Sequence, residues 1–218
     1  EDFITEAAHR VRTPLTVVRT QAEITLRQID KPRNRKNLKE IIRAIDESSR
    51  AAGQLLDHAM VTFRADNLAL EKVNICQLIN DTVDRLSPLA DLRDISLEVE
   101  LLHHASVLGD PILLQNALYN IIDNAIKYSP IDSKVVTTIS SINEKIQISV
   151  NDTGPGFNYD EPSKLIERFH RGENVEGIIG SGLGLTIAHE VVEAHKGHLE
   201  IKNLVGGGAC VSFLLPSH

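Results

Sequence analysis

Four short stretches carry residue types whose spacing suits chemistry. In NIIDNAIKY, residues 120–128, Asn120 and Asn124 lie four apart, so a helix brings them to one face with Asp123 and Lys127 beside it. Two amide carbonyls and an ammonium on one face suit a magnesium ion and phosphate oxygens, although a solvated helix face has the same pattern. In NDTGPGF, directly after an apolar run, Asp152 is an acceptor for an exocyclic amine, and Gly154 and Gly156 allow the backbone to approach a flat ring. An ordinary turn favours those same residues. In GIIGSGLGLTIAHEVV, Gly180, Gly182 and Gly184 lead into an amphipathic helix, whose N-terminus suits phosphate. The stretch lacks the Gly-Lys-Ser/Thr of a P-loop and the following βα unit of a dinucleotide fold. Each stretch is weak alone; together the three describe a nucleotide pocket. The fourth is FITEAAHRVRTPL. There His9 falls off the apolar stripe and should face solvent, with Thr13 on its face and Glu6 one turn earlier. An exposed imidazole is a competent nitrogen nucleophile at neutral pH.

The elements that must hold these residues differ between the two ends of the chain. Ile4, Ala7/Ala8, Val11, Leu15, Val18, Ala22, Leu26 and Ile29 recur at steps of three and four, as do apolar and small residues from Leu38 to Ala59. This predicts two long helices, with Pro14 bending the first. The seven residues DKPRNRK, 30–36, are expected to form the turn between them, its basic run a solvated loop. A hairpin with one apolar stripe per helix has too little core to stand alone, which predicts a dimeric four-helix bundle. Beyond a boundary near residues 67–72, the pattern predicts a helix over 75–92, a strand in ISLEVEL, a short VLGD link and a helix over 111–128. Strands are expected in KVVTTISS, KIQISVND, HLEIKN and ACVSFLLP, with a helix over 184–195 between the second and third. The fold class is therefore multidomain, α and α+β: a helical hairpin, then an α/β sandwich with a mixed five-stranded sheet and helices on one face.

Composition agrees with this division. The 218 residues are 42% hydrophobic and 24% charged, a globular balance. Twelve of the 13 glycines fall between Gly109 and Gly208. The first 65 residues carry 12 Lys/Arg against 9 Asp/Glu, while the whole chain has a formal charge of −7, the wrong sign for a nucleic-acid partner. Cys76 and Cys210 lie far apart, have no metal spacing and read as reduced thiols. No apolar run reaches the length of a membrane span. With Glu1 first and Met60 the only methionine, the chain reads as a piece of a longer protein.

In combination, these stretches resemble the transmitter region of bacterial two-component sensor histidine kinases, over essentially the whole chain. HRVRTPL resembles the phosphoacceptor box, NIIDNAIKY the N box, DTGPGF the first glycine box, ERFHRG the F box and GSGLGL the second glycine box, in the family's order. The resemblance implies a dimerisation and phosphotransfer domain over 1–66 and a catalytic ATP-binding domain over 67–218. It implies ATP and Mg2+, His9 as phosphoacceptor, and Asn124 as a metal ligand with Asn120 beside it. Lys127 and Tyr128 would line the phosphate and base side, with Asp152 on the adenine amino group. Arg171 would reach the γ-phosphate from a lid over about 157–180, and Leu183 lies within the second glycine box. The implied partners are a second copy of the chain and a response-regulator receiver domain. The implied setting is the cytoplasmic portion of an inner-membrane sensor, the fragment itself being soluble. Thr13 matches the position that orients water for the reverse, phosphatase reaction.

One position departs from the pattern. The family usually has Glu or Asp directly after the phosphoacceptor, and this chain has Arg10. A guanidinium does not act as a base, and losing a general base typically costs about 10²–10⁴-fold in rate. Glu6 is the geometric substitute; alternatively, Arg10 pairs with the phosphoryl group on His9. Two readings follow: a kinase, slow if nothing replaces the acid, or a pseudokinase-like signalling module that binds nucleotide or a partner without labelling itself. The same pocket also resembles gyrase and heat-shock chaperone ATPases. Those enzymes need a glutamate four residues before the metal-binding Asn, where this chain has Asn120.

Overall fold

The three-and-four spacing of apolar residues produces helices α1 (Asp2–Gln28) and α2 (Pro32–Ala65), packed as a hairpin. The computed structural model describes residues 2–28, 31–65, 68–100, 105–157 and 183–217; the side chains of 2–12, 47, 50, 54, 57 and 65 fall outside that description. Helix α1 continues through Pro14. The turn is shorter than the sequence suggests. Pro32 begins α2, because a first-turn residue needs no N–H and a fixed φ favours the helix. Arg33, Arg35 and Lys36 are therefore exposed on the first turns of α2, a solvated helix start and not a loop. Arg19 Nε pairs with Asp46 Oδ1 at 3.0 Å across the hairpin. Val17, Val18, Ile24, Ile41, Leu55 and Phe63 remain exposed, so the hairpin does not bury its own apolar surface.

The rest of the chain builds an α/β domain in the order β1 (Glu71–Asn74), α3 (Ile75–Asp91), β2 (Ile95–Glu100), β3 (Ser106–Gly109), α4 (Pro111–Tyr128), β4 (Ser133–Ile142), β5 (Lys145–Asn151), α5 (Gly184–Ala194), β6 (His198–Asn203) and β7 (Ala209–Pro216). Five strands form a mixed sheet in the order β2-β4-β5-β7-β6; β2 and β4 are parallel and every other pair is antiparallel. Side chains alternate along these strands. Val135 and Ile139, Ile146, Ile148 and Val150, and Val211, Phe213 and Leu215 point to one face, where they join α3, α4 and α5 in a single apolar cluster. VLGD is not a mere link. It forms most of β3, which pairs antiparallel with β1 in a separate two-stranded sheet, with Val73 opposite Val107.

The helix that carries the paired asparagines is fixed at both ends. At its start Asp110 Oδ1 accepts from Ile112 N at 3.0 Å and Leu113 N at 3.2 Å, and Pro111 occupies the first turn. At its end the Arg93 guanidinium donates to Lys127 O at 2.6 Å and Ser129 O at 3.4 Å, taking up carbonyls that the last helical turn leaves over. The end of α2 also belongs to this domain's packing: Val61 is wholly buried in the same cluster, and Arg64 Nη1 lies 3.1 Å from both Asp110 carboxylate oxygens.

Candidate nucleotide site

Helices α4 and α5 pack together, and α5 begins with no side-chain cap on its first N–H groups. Its first residue, Gly184, sits against the paired amides. A Cβ added there would stand 3.0 Å from Asn124 Nδ2, 3.5 Å from Asn124 Oδ1 and 3.4 Å from Asn120 Oδ1. Asn120 is 8% exposed and its Nδ2 contacts Asn116 O at 2.9 Å and Asn116 Oδ1 at 2.6 Å, which leaves its carbonyl oxygen as acceptor at the mouth of α5. This face of α4 is largely enclosed. Converging amide oxygens beside an uncapped helix start form a cradle whose hard oxygen donors fit a magnesium ion and whose N–H groups fit phosphate. Lys127 Nζ is paired with Asp123, one turn back on the same helix. Leu183 anchors the start of α5, being 1% exposed and accepting the Ile187 N–H at 2.9 Å.

Asp152 follows β5 and is buried. Its Oδ1 accepts from Gly154 N at 2.8 Å and Ala209 N at 3.1 Å, and its own N–H donates to Ala209 O at 2.9 Å. Burial pushes the carboxyl up from its ordinary value, against the two backbone hydrogen bonds that pull it down. Folding thus favours the protonated form, and at neutral pH the ionised carboxylate is held at some cost in stability. A buried anion kept at such cost is a strong acceptor for an amine that reaches it.

The glycines of this stretch allow close approach of other parts of the protein, backbone at Gly154 and a side chain at Gly156. A Cβ on Gly154 would stand 2.7 Å from Tyr128 O, and one on Gly156, where φ is +75°, would stand 2.7 Å from Asn203 Oδ1. Phe157, expected at the edge of a lid, is clamped: its N donates to Asn203 Oδ1 at 2.7 Å and its O accepts from Asn203 Nδ2 at 2.8 Å.

The structure therefore brings Asn120, Asn124, Leu183 and Gly184 together between α4 and α5. It sets Tyr128, Asp152 and Gly154 together at the C-terminal end of α4. Thr13 is exposed on α1. Arg171, Gly180, Gly182 and the rest of the expected lid lie outside the described residues. So do the side chains of Glu6, His9 and Arg10, whose backbone belongs to α1. Sequence reasoning missed Asn116, Asn203, Ala209 and His195. The three-glycine run 206–208 was the available signal for the second and third of these, since it marks a turn that folds back on the Asp152 strand end.

A helical hairpin is thus followed by an α/β domain that holds an amide-lined crevice and a buried carboxylate. Two family models match in that order: the His Kinase A (phospho-acceptor) domain over residues 1–64, and the histidine kinase-, DNA gyrase B-, and HSP90-like ATPase over residues 109–218. The chain belongs to the histidine kinase family and comprises the transmitter region of such a kinase. Among its relatives, the sensor protein kinase PmrB of Pseudomonas aeruginosa is 31% identical over 97% of this chain and 44% of its own length. The histidine-protein kinase/phosphatase MprB of Mycolicibacterium vanbaalenii is 33% identical over 94% of this chain and 43% of its own. Full-length ShkA, solved in complex with AMPPNP, superposes with a TM-score of 0.71 at 26% identity, over 99% of this chain and 46% of that one. The chain thus spans less than half the length of the curated relatives it matches.

The glycine turn supplies a direct test of this geometry. A Cβ on Gly208, where φ is +94°, would collide with Asp152 O, while Gly206 and Gly207 have nothing within 4 Å. In urea denaturation, Gly208→Ala should cost about 2–4 kcal/mol, combining strain with a backbone clash. Gly206→Ala should cost only about 1 kcal/mol, from its positive φ alone.

Proposed function

We propose that this chain is the kinase core of a two-component sensor: it binds Mg-ATP, phosphorylates His9 and passes the phosphoryl group to an aspartate of a response-regulator receiver domain. The observation that carries this reading is the α4–α5 crevice, with its amide oxygens and uncapped helix start, in a chain whose first 64 residues match a phosphoacceptor domain. We divide the chain into a phosphotransfer domain over 1–66 and a catalytic domain over 67–218.

Asp152 accepts the adenine amino group, next to Tyr128 and Gly154. Asn124, with Asn120, holds the magnesium ion, which supplies charge neutralisation on the phosphates. Gly180, Gly182, Leu183 and Gly184 present backbone N–H groups to phosphate, while Lys127 and Arg171 add positive charge. Phosphoryl transfer depends mostly on such positioning and neutralisation. One ring nitrogen of His9 forms the P–N bond, the bond from the γ-phosphorus to the bridging oxygen of ADP breaks, and the proton on the other ring nitrogen leaves. Arg10 does not accept that proton; Glu6, one turn back, is the nearest carboxylate in sequence on that side. Thr13 orients water when the phosphorylated regulator is hydrolysed, an activity printed in the name of the MprB relative. The exposed stripe that includes Val18, Ile41 and Leu55 closes a four-helix bundle with a second copy. The parent protein is anchored in a membrane, with this region on the cytoplasmic side. The relatives are named as kinases, and none of the matches quoted favours the pseudokinase reading.

Incubation with γ-labelled ATP decides between those readings. The unmodified chain should take label in acid-labile, base-stable form, and His9→Gln should abolish it; tight ATP binding without label would mean a pseudokinase. In the same assay Arg10→Glu should raise the initial rate by about 10-fold or more, because it restores a base beside the ring. Asp152→Asn turns an amide N–H2 toward the adenine amine. Calorimetry should register at least about a tenfold loss of ATP affinity, the scale of one hydrogen bond to a charged acceptor, with no fall in melting temperature at neutral pH, since a buried charge is removed. Leu55→Asp should convert the dimer to a monomer in light scattering, leaving ATP affinity in place.

A further inference from the structure

Helix α2 meets the ATP-binding domain at two points with matching spans. His58 Nε2 lies 3.2 Å from Glu190 Oε1 on α5, and Arg64 Nη1 lies 3.1 Å from both oxygens of Asp110. Asp110 also donates its backbone N–H to His195 Nε2 at 2.9 Å, so Arg64 is tied through Asp110 to the C-terminal end of α5. From His58 to Arg64 is about 9 Å of helix, and from Glu190 to His195 about 7.5 Å. Two near-equal steps in the same chain direction set α5 alongside α2, running parallel to it. Counted back equally from His58 and Glu190, Gly184 at the nucleotide end of α5 comes level with Ala52. Within the hairpin, the turn sets Gln28 opposite Pro32, and the ion pair sets Arg19 opposite Asp46. Counted down from either, position 9 of α1 stands opposite Ala51 to Leu56. The phosphate end of α5 and the phosphoacceptor therefore occupy the same level along the hairpin.

We infer that Arg64–Asp110 and His58–Glu190 form a two-point clasp that positions the catalytic domain along α2, with its nucleotide end level with His9. Arg64 and Glu190 are positioning residues in this scheme; neither touches nucleotide. Asp110 is 1% exposed and the Arg64 side chain 16%, so this ion pair is nearly dry. Removing Arg64 strands a buried carboxylate that also caps α4, and release of the domain rehydrates it. The loss of one side chain is thereby converted into a shift toward an undocked domain. The inference rests on His9 being the phosphoacceptor.

The test compares unmodified protein, Arg64→Ala, Arg64→Lys and Glu190→Ala in three measurements: X-ray scattering in solution, ATP affinity by calorimetry, and the initial rate of label uptake. Arg64→Ala should enlarge the radius of gyration and slow labelling by at least about tenfold, the scale of a misplaced reactant, with ATP affinity within about twofold. Arg64→Lys should restore most of the rate, because a single nitrogen makes both contacts to Asp110. Glu190→Ala should act in the same direction and less strongly. Unchanged scattering, labelling that is equal or faster, or a fall in ATP affinity with Arg64→Ala would each overturn the clasp. If the unmodified chain takes no label, the kinase reading fails instead, and the scattering arm still decides whether these contacts hold the domains together.

Discussion

How closely α5 approaches α4 governs the catalytic domain at both of its ends. At the N-terminal end of α5 the limit is Gly184, where any side chain would press on the Asn124 amide. At the opposite end it is Gly109, where a Cβ would stand 2.7 Å from Leu114 Cδ1 and 2.8 Å from His195 Cδ2. Between these points the helices meet through fully buried residues such as Leu118, Ile122, Ile187 and Val191. Interiors packed to crystal-like density do not stretch to absorb an extra methyl group, so the width of the crevice is set by residues that contribute no side chain to it. His195 locks the far end. Its Nε2 accepts from Asp110 N while Nδ1 donates to Val191 O at 2.7 Å, so both ring nitrogens are committed and the tautomer is fixed.

The polar groups divide their work. Asp152 commits Oδ1 to holding its own loop against β7, and no hydrogen bond among the described residues uses Oδ2. Asn120 likewise commits its amide nitrogen to Asn116 and keeps its oxygen toward α5. In each case one half of a bifunctional side chain fixes orientation, and the other half is presented already aligned. Groups held in this way do not reorganise when a ligand arrives, and this is where a rigid site gains over a floppy one.

Much of this was legible in the sequence because the signals were periodic. Alternation in KIQISVND and ACVSFLLP places β5 and β7, and Pro111 marks the start of α4, within a residue of their observed limits. The paired asparagines announced their shared face through helical spacing alone. Short or non-local features did not carry such a signal. β3 has four residues and is stabilised by pairing with a strand about 35 positions earlier, which no window of sequence reports. Pro32 and its basic neighbours look like a loop because their composition is that of one, although proline suits a helix start equally well. The roles of Arg64, Asn203 and His195 are tertiary: each bonds a group at least 46 residues away, or 85 for His195. Gly154 and Gly156 make room for Tyr128 and Asn203, neighbours that lie far away in the chain and that local turn composition does not announce.

The complete burial of Val61 among the residues of the following domain means that the two modules overlap in the chain. The last turn and a half of α2 is hairpin by secondary structure and catalytic domain by packing. Grafting this output region onto a foreign input, or exchanging hairpins between sensors, therefore calls for a splice upstream of Val61. A junction placed at the end of the helix would transplant a core with a missing plug and a buried carboxylate deprived of its native guanidinium.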